Sequence, residues 1–251
     1  EIKQKVIMKY GVHEEDGTML CKTEIRLPMG LYPQGYQLKI RETVSVEPYW
    51  ESISRVSRWW EKDHALDILK VPDAARQPLY SFWYSKHQQV DAENIEKESV
   101  LAAQMGFPTI IVDDGWQTDN TWKGYSWCGD WRPALSKFPD MAAHVARVQE
   151  LGMKYMVWYS VPFVGRNSDA YSLFRGKFLR EDGNAAILDP RFPEVREYLI
   201  GTYVKALKEW NLDGFKLDFI DEFRFNGPDP AVAENYAGRD ILNVSEAVNV
   251  L

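Results

Sequence analysis

Apolar and polar positions alternate along the first stretch of the chain and then change texture. Val6 to Tyr10, Thr18 to Leu27 and Tyr36 to Val46 alternate apolar with polar or charged residues, the period of a half-buried strand. Glu15-Asp16-Gly17 and Pro33-Gln34-Gly35 supply turns between them. Three strands make a poor independent domain. Residues 1–47 are therefore expected to be the tail of a larger sheet that begins upstream. Pro48 breaks the pattern. Trp50, Ile53, Val56 and Trp60 recur at helical spacing and predict a helix over 49–62, and Lys70 to Pro78 reads as a connector. Residues 48–78 are taken as linker helix and connector.

From Leu79 onward, compact apolar runs alternate with helical periods. Strands are predicted over 79–85, 109–114, 153–161 and 213–219. The first helix starts at Asp91 as N-cap, turns Ile95, Leu101, Ala102 and Met105 inward and stops at Gly106. The second follows Pro139 with Met141, Val145, Val148 and Leu151. The third starts at Pro193 and carries Val195, Leu199, Tyr203, Ala206 and Trp210, with Asn211 near its end. A last helix sets Ile241, Val244, Val248 and Leu251 on one face. Strand then helix, four times over, is the parallel α/β signature. Periodicity does not separate an open sheet from a barrel, but the glycine-rich loop of dinucleotide folds is absent after the first strand. Polar residues gather at strand C-termini, and long aromatic loops follow strands two and three. The expected fold is α/β, a (β/α)8 TIM-barrel type with about four βα units in residues 79–251, the first half of a barrel, preceded by a short antiparallel β segment.

Composition narrows the function classes. Of 251 residues, 45% are hydrophobic and 27% charged, as in soluble globular proteins, and no apolar run reaches the roughly 20 residues of a membrane helix. A net charge of -7 argues against a nucleic-acid partner, and no membrane partner is expected. Cys21, Cys128 and the four His show no metal spacing. Aromatic residues reach 14%, with Trp122, Tyr125, Trp127 and Trp131 in polar loops that suit stacking on sugar rings. No signal peptide is visible, and the chain starts with Glu1. A cytoplasmic, bacterial-type protein is expected, with secretion the alternative.

The stretch Asp213 to Asp221 carries the sharpest chemistry. On a strand, Lys216 and Asp218 share one face, opposite Phe215, Leu217 and Phe219. The bland interpretation is a structural ion pair. The functional one is a carboxylate nucleophile kept ionised by a neighbouring ammonium.

Val112-Asp113-Asp114-Gly115-Trp116, Gly129-Asp130-Trp131 with Lys137-Phe138-Pro139, Trp158-Tyr159 and Lys216-Leu217-Asp218 form an ordered set. In that order they resemble glycoside hydrolase family 36 and its clan of α-galactosidases and α-N-acetylgalactosaminidases, over about residues 79 to 251, and the resemblance implies that residues 1–47 are the C-terminal part of the β-sandwich that the family carries ahead of its barrel. The resemblance implies Asp218 as nucleophile, Lys216 as a ligand to ring hydroxyls, and Asp113 and Asp114 as the pair that holds O4 and O6 of galactose. It implies Trp158 as an aromatic wall of the sugar site and Trp83 or Tyr84, ending the first strand, as another. It places the acid/base carboxylate on a later strand, not present in this chain, so that residues 1–251 alone are expected to be inactive. The chain departs from the best-known members with Leu217, Phe219 and Ile220 around the nucleophile and with Ser160-Val161-Pro162 where they carry Glu-Pro-Glu.

The expected activity is retaining hydrolysis of terminal α-galactosides on an oligosaccharide or glycoside, with no cofactor and no metal. A retaining enzyme needs two carboxyl groups about 5 to 5.5 Å apart, one attacking the anomeric carbon and one protonating the leaving oxygen. The alternatives are a non-catalytic sugar-binding module, a galactosyl-transferring relative, and a Mg²⁺-dependent lyase or phosphatase liganded by Asp113, Asp114 and Asp218. An open sheet with exposed edges is compatible with a homo-oligomer.

Overall fold

A computed structural model of the chain describes residues 5–13, 15–26, 41, 43–63, 65, 68–122, 124–226 and 237–251. The chain divides into two units, Glu1–Leu69 and Lys70–Leu251. In the first, strands β1 (Lys5–Val12) and β2 (Met19–Arg26) form an antiparallel hairpin with Val12 opposite Met19. Asp16 organises its turn by accepting from the Thr18 backbone N–H at 2.9 Å and hydroxyl at 2.7 Å, while Gly17 takes a φ of 67°. The expected third strand, 36 to 46, lies largely outside the described residues, and the described ones, 41 and 43–46, form no strand. Helix α1 (Tyr49–Asp63) matches its periodicity. Glu47 braces its first turns, accepting from Ser52 at 2.9 Å and pairing with Arg55. Trp50, Ile53, Val56 and Trp60 are all exposed.

The second unit opens with β3 (Tyr80–Ser81) and a single helical turn, α2 (Trp83–Lys86). The expected strand over 79–85 is thus only two residues long. Phe82 already has helical dihedrals, and Lys86 and His87 donate to the carbonyls of Phe82 and Trp83 at 2.9 and 3.0 Å. A short apolar run does not by itself distinguish strand from helix. Trp83 and Tyr84 therefore sit in α2, not at a strand end.

Helix α3 (Ala92–Gln104) is capped by Asp91, whose side chain accepts from Asn94 N at 2.9 Å. It buries Ile95, Ser99 and Ala102, one face at spacings of four and three. Leu101 and Met105, expected inward, are exposed: Leu101 lies one residue off that face, and Met105 is the C-cap, followed by Gly106 at φ 87°. Strand β4 (Thr109–Val112) is wholly buried. Helix α4 (Met141–Gln149), capped by Asp140, buries Met141, Val145 and Val148 as the periodicity predicts, while Leu151 is partly exposed.

Strand β5 (Lys154–Ser160) leads into a segment that the sequence pattern left as loop. There β6 (Phe163–Gly165), α5 (Asp169–Leu173), β7 (Phe178–Asp182) and β8 (Ala185–Leu188) build a separate antiparallel sheet in the order β6-β8-β7. Helix α6 (Pro193–Trp210) starts at its proline and ends at Asn211 in the left-handed conformation. Strand β9 (Gly214–Asp218) follows, and α7 (Val244–Val250) packs Val244, Val248 and Leu251 on the core. Ile241 precedes that helix.

The parallel sheet runs β3-β4-β5-β9, with helices as crossovers. Its registers set Trp158 beside Lys216 and Ser160 beside Asp218. Asp213 fixes the entry to β9, accepting from Tyr155 N and Gln149 Nε2 at 2.9 Å each and from Lys154 at 3.1 Å. Leu217, on the face opposite Lys216 and Asp218, is exposed on β9, the last strand of the sheet among the described residues, and Phe219 lies past the strand end. Asp189 is fully buried in a turn, bonded to Arg191 N at 3.1 Å and paired with the side chains of Arg191 and Arg239.

His144 is sealed between α3, α4 and β5, bonded to Glu96 at 2.7 Å and to the Tyr155 hydroxyl at 2.9 Å. Burial lowers its pKa against the raising influence of Glu96. Burial would raise the Glu96 pKa, but Arg147 and His144 outweigh it and the net shift is downward. Both folded pKa values thus lie below the unfolded ones, so both groups contribute stability that is lost on acidification. The loss begins below about pH 6.5 for His144 and about pH 4.3 for Glu96. Urea denaturation midpoints should therefore fall between pH 7.5 and 5.5, and His144→Phe should flatten that slope.

Candidate functional site

The C-terminal ends of β4, β5 and β9 bring together Asp113, Asp114, Trp158, Lys216 and Asp218. Lys216 Nζ donates to Asp113 Oδ2 at 2.7 Å and stands 3.3 Å from Asp218 Oδ2. The Trp158 indole N–H donates to Asp218 Oδ2 at 3.0 Å, and Phe219 N donates to Asp218 Oδ1 at 3.0 Å. Burial alone would raise the Asp218 pKa. The Trp158 N–H, the Lys216 ammonium and the Phe219 N–H outweigh it and hold the carboxyl below its ordinary value. Burial likewise opposes the charge on Lys216, but Asp113 and then Asp218 raise its pKa on balance. The pair is charged, and both side chains face solvent, Lys216 at 36% exposure and Asp218 at 35%.

Asp113 and Asp114 are almost completely buried. Asp113 Oδ1 caps the turn by accepting from Asp114 N at 2.9 Å. Asp114 accepts from Gln117 Nε2 at 2.7 Å and Gln88 Nε2 at 2.6 Å. Burial raises its pKa, and the two amides offset this only in part. Behind them Lys137 donates to the carbonyls of Gln88 and Gly115, 2.8 Å each. Gly115 has a φ of 111°, and a Cβ there would stand 2.5 Å from Gln88 Cα, so only glycine lets these two backbones touch. Gln88, Gln117 and Lys137 escaped sequence reasoning as functional groups. The signals were the glycine after the paired aspartates and the place of Lys137 in the ordered motif set.

Trp158 is 1% exposed, its ring against Trp131 and Phe219, and its carbonyl accepts from the Trp116 indole at 2.9 Å. Trp83 takes no part in this set of contacts; it meets His87 edge-on at 4.9 Å. Tyr125 completes the rim, stacked on Phe163 at 4.8 Å and edge-on to Phe219 at 5.4 Å. Burial and then the charge of Asp114 push its pKa up to about 12. Cys128, fully buried beside Gln117, has its thiol pKa raised well above normal by burial and is inert. An open groove of about 480 Å³ lies next to Gln117, lined by Thr118, Asp119, Asn120 and Trp127. The arrangement offers one ionised, solvent-facing carboxylate beside a cation, over a buried pair of acids.

A family model described as Melibiase matches residues 65–246. An α-galactosidase C of Emericella nidulans is 25% identical over 204 residues, 73% of this chain and 27% of that protein. An α-xylosidase of the same organism is 31% identical over 133 residues, 45% of this chain and 17% of that protein. Among solved structures, a variant of the GH36 α-galactosidase AgaA from Geobacillus stearothermophilus in complex with raffinose superimposes with a TM-score of 0.53. It is 25% identical, over 57% of this chain and 21% of that one. The chain thus spans less than a third of the length of each of these relatives. Such neighbours establish the TIM-barrel type of the α/β fold.

Proposed function

The chain belongs to the Melibiase family, and we propose that it carries the nucleophile and sugar-binding half of a retaining hydrolase acting on terminal α-galactosides by double displacement. One observation carries this: Asp218 is solvent-facing, held ionised by three donors, and joined through Lys216 to Asp113. An Asp218 oxygen attacks the anomeric carbon as the glycosidic C–O bond breaks, giving a glycosyl ester. Water then attacks the same carbon, the ester C–O bond breaks, and Asp218 leaves as carboxylate. A second carboxyl group protonates the departing oxygen and later takes the proton from water. We place that group outside residues 1–251. Lys216, Asp113 and Asp114 hold ring hydroxyls, and charge-assisted bonds of this kind tell an axial hydroxyl from an equatorial one.

The Mg²⁺ alternative fits less well. Lys216 Nζ stands between Asp113 and Asp218, and among the described residues no group of three acidic, His or Cys side chains is spaced to hold a metal ion. Among them, too, no helix is long and apolar enough to cross a membrane. The proposal is tested by NMR of the first product formed by the full-length protein from an aryl α-galactoside. α-Galactose should appear first and then mutarotate. β-Galactose as first product would refute double displacement.

A further inference from the structure

The antiparallel sheet β6-β8-β7 has no part in the chemistry above, yet one of its side chains ends against the turn that follows the strand carrying Asp218. Arg180, in β7, is almost buried. Its guanidinium donates to the Glu222 carbonyl at 2.8 Å and to the Arg224 carbonyl, and it pairs with the Glu222 carboxylate. These contacts close the 3₁₀ turn Ile220–Glu222, which begins two residues after Asp218.

The residue between them is Phe219, with φ 61° and ψ 24°. A residue with a Cβ is disfavoured in this left-handed region and stays there only where its surroundings impose it. The peptide that joins Asp218 to Phe219 aims its N–H at Asp218 Oδ1, 3.0 Å away. Two elements of the same antiparallel sheet brace it. Phe163, from β6, meets the Phe219 ring at 5.3 Å, and Arg180, from β7, holds the turn beyond it.

We propose that Arg180 is a positioning residue for the nucleophile. It fixes the turn after β9 and so holds the Asp218–Phe219 peptide in the orientation that delivers its N–H to Asp218. This rests on Asp218 being the nucleophile. If the turn is released, Phe219 relaxes to negative φ, the Asp218–Phe219 peptide is freed to rotate about the Cα–C bond of Asp218, and its N–H swings away. Asp218 then loses one of three donors, its carboxylate gains freedom of rotation, and its proton affinity rises.

The test uses the full-length protein with Arg180→Ala, Arg180→Lys, Glu222→Gln and, as reference, Asp218→Ala. Rates are normalised to active sites titrated with a covalent galactosyl inactivator. Arg180→Ala should lower kcat about 10- to 100-fold, the cost of a misplaced reacting group, while KM stays within about twofold. The acid limb of kcat/KM should move to higher pH, because a carboxylate that loses a donor is protonated more easily. Arg180→Lys should recover part of both effects, and Glu222→Gln should show smaller changes in the same direction. A merely structural role would reduce the titre of active sites and leave the acid limb in place. Parental kcat and acid limb in Arg180→Ala would overturn the proposal, and where that variant does not fold, the same result in Arg180→Lys and Glu222→Gln would do so. Activity retained by Asp218→Ala would overturn the nucleophile assignment, and this proposal with it. An inactive Asp218→Ala alongside unshifted Arg180 variants would overturn this proposal alone.

Discussion

Asp218→Ala in the full-length protein should lower kcat on an aryl α-galactoside by at least about 10³-fold while leaving the fold intact. The fold should hold because Asp218 is one-third exposed, although the change takes the acceptor from the buried Trp158 indole N–H, 3.0 Å away. The chemistry does not tolerate it. Asp218 is the acid at the site that combines solvent access with an ionised state. Asp113 lies at the floor of the site, paired to Lys216 at 2.7 Å, and Asp114 beside it is tied to Gln88 and Gln117. Neither can move to the anomeric carbon without leaving its partners. The void left by alanine should admit azide, which attacks from the same side and yields the β-galactosyl azide from a substrate with a good leaving group. Activity within about tenfold of the parent would show that another group attacks.

Asp113→Ala and Asp114→Ala should each cost at least ~2 kcal/mol of transition-state stabilisation, read from kcat/KM, because each removes a charged hydrogen bond to the sugar. The two variants should nevertheless differ. Asp113→Ala leaves Lys216 with Asp218 as its remaining carboxylate partner, at 3.3 Å, so the rate falls and the fold holds. Asp114→Ala strips the acceptor from two amides, Gln88 Nε2 and Gln117 Nε2. Losing these two hydrogen bonds around a buried side chain costs about 1–3 kcal/mol, so this variant should also denature at lower urea. Unchanged kcat/KM in both would remove the pair from the sugar site.

Legibility in the sequence followed the range of the interactions. Helices α3, α4 and α6 announced themselves through local features: Asp91 and Asp140 as N-caps, Pro193 at the first turn, and an apolar face at period 3.6. The shared face of Lys216 and Asp218 followed from strand geometry alone, whereas the contact of Lys216 with Asp113, 103 residues away, is a tertiary fact. What stayed hidden depends on chain neighbours far away in sequence. Nothing local marks Gln88 as a partner of Asp114, 26 residues on. The sheet β6-β8-β7 was missed because its strands are three to five residues long, too short to show a period. Its one clear signal was the Asp182-Gly183-Asn184 turn, where Gly183 has φ 56°. The first strand was overestimated because Phe82 and Trp83 are equally at home in a helical turn, and hydrogen bonds from Lys86 and His87 decide the matter.

The central claim is that Asp218 forms the covalent bond to the sugar. The direct measurement is to inactivate the full-length protein with a cyclitol epoxide or 2-fluoro galactosyl reagent, digest it and sequence the labelled peptide by mass spectrometry. The account predicts one ester, on Asp218, in the peptide that runs through Lys216-Leu217-Asp218-Phe219. An ester on any other carboxylate, Asp113 and Asp114 included, would contradict it.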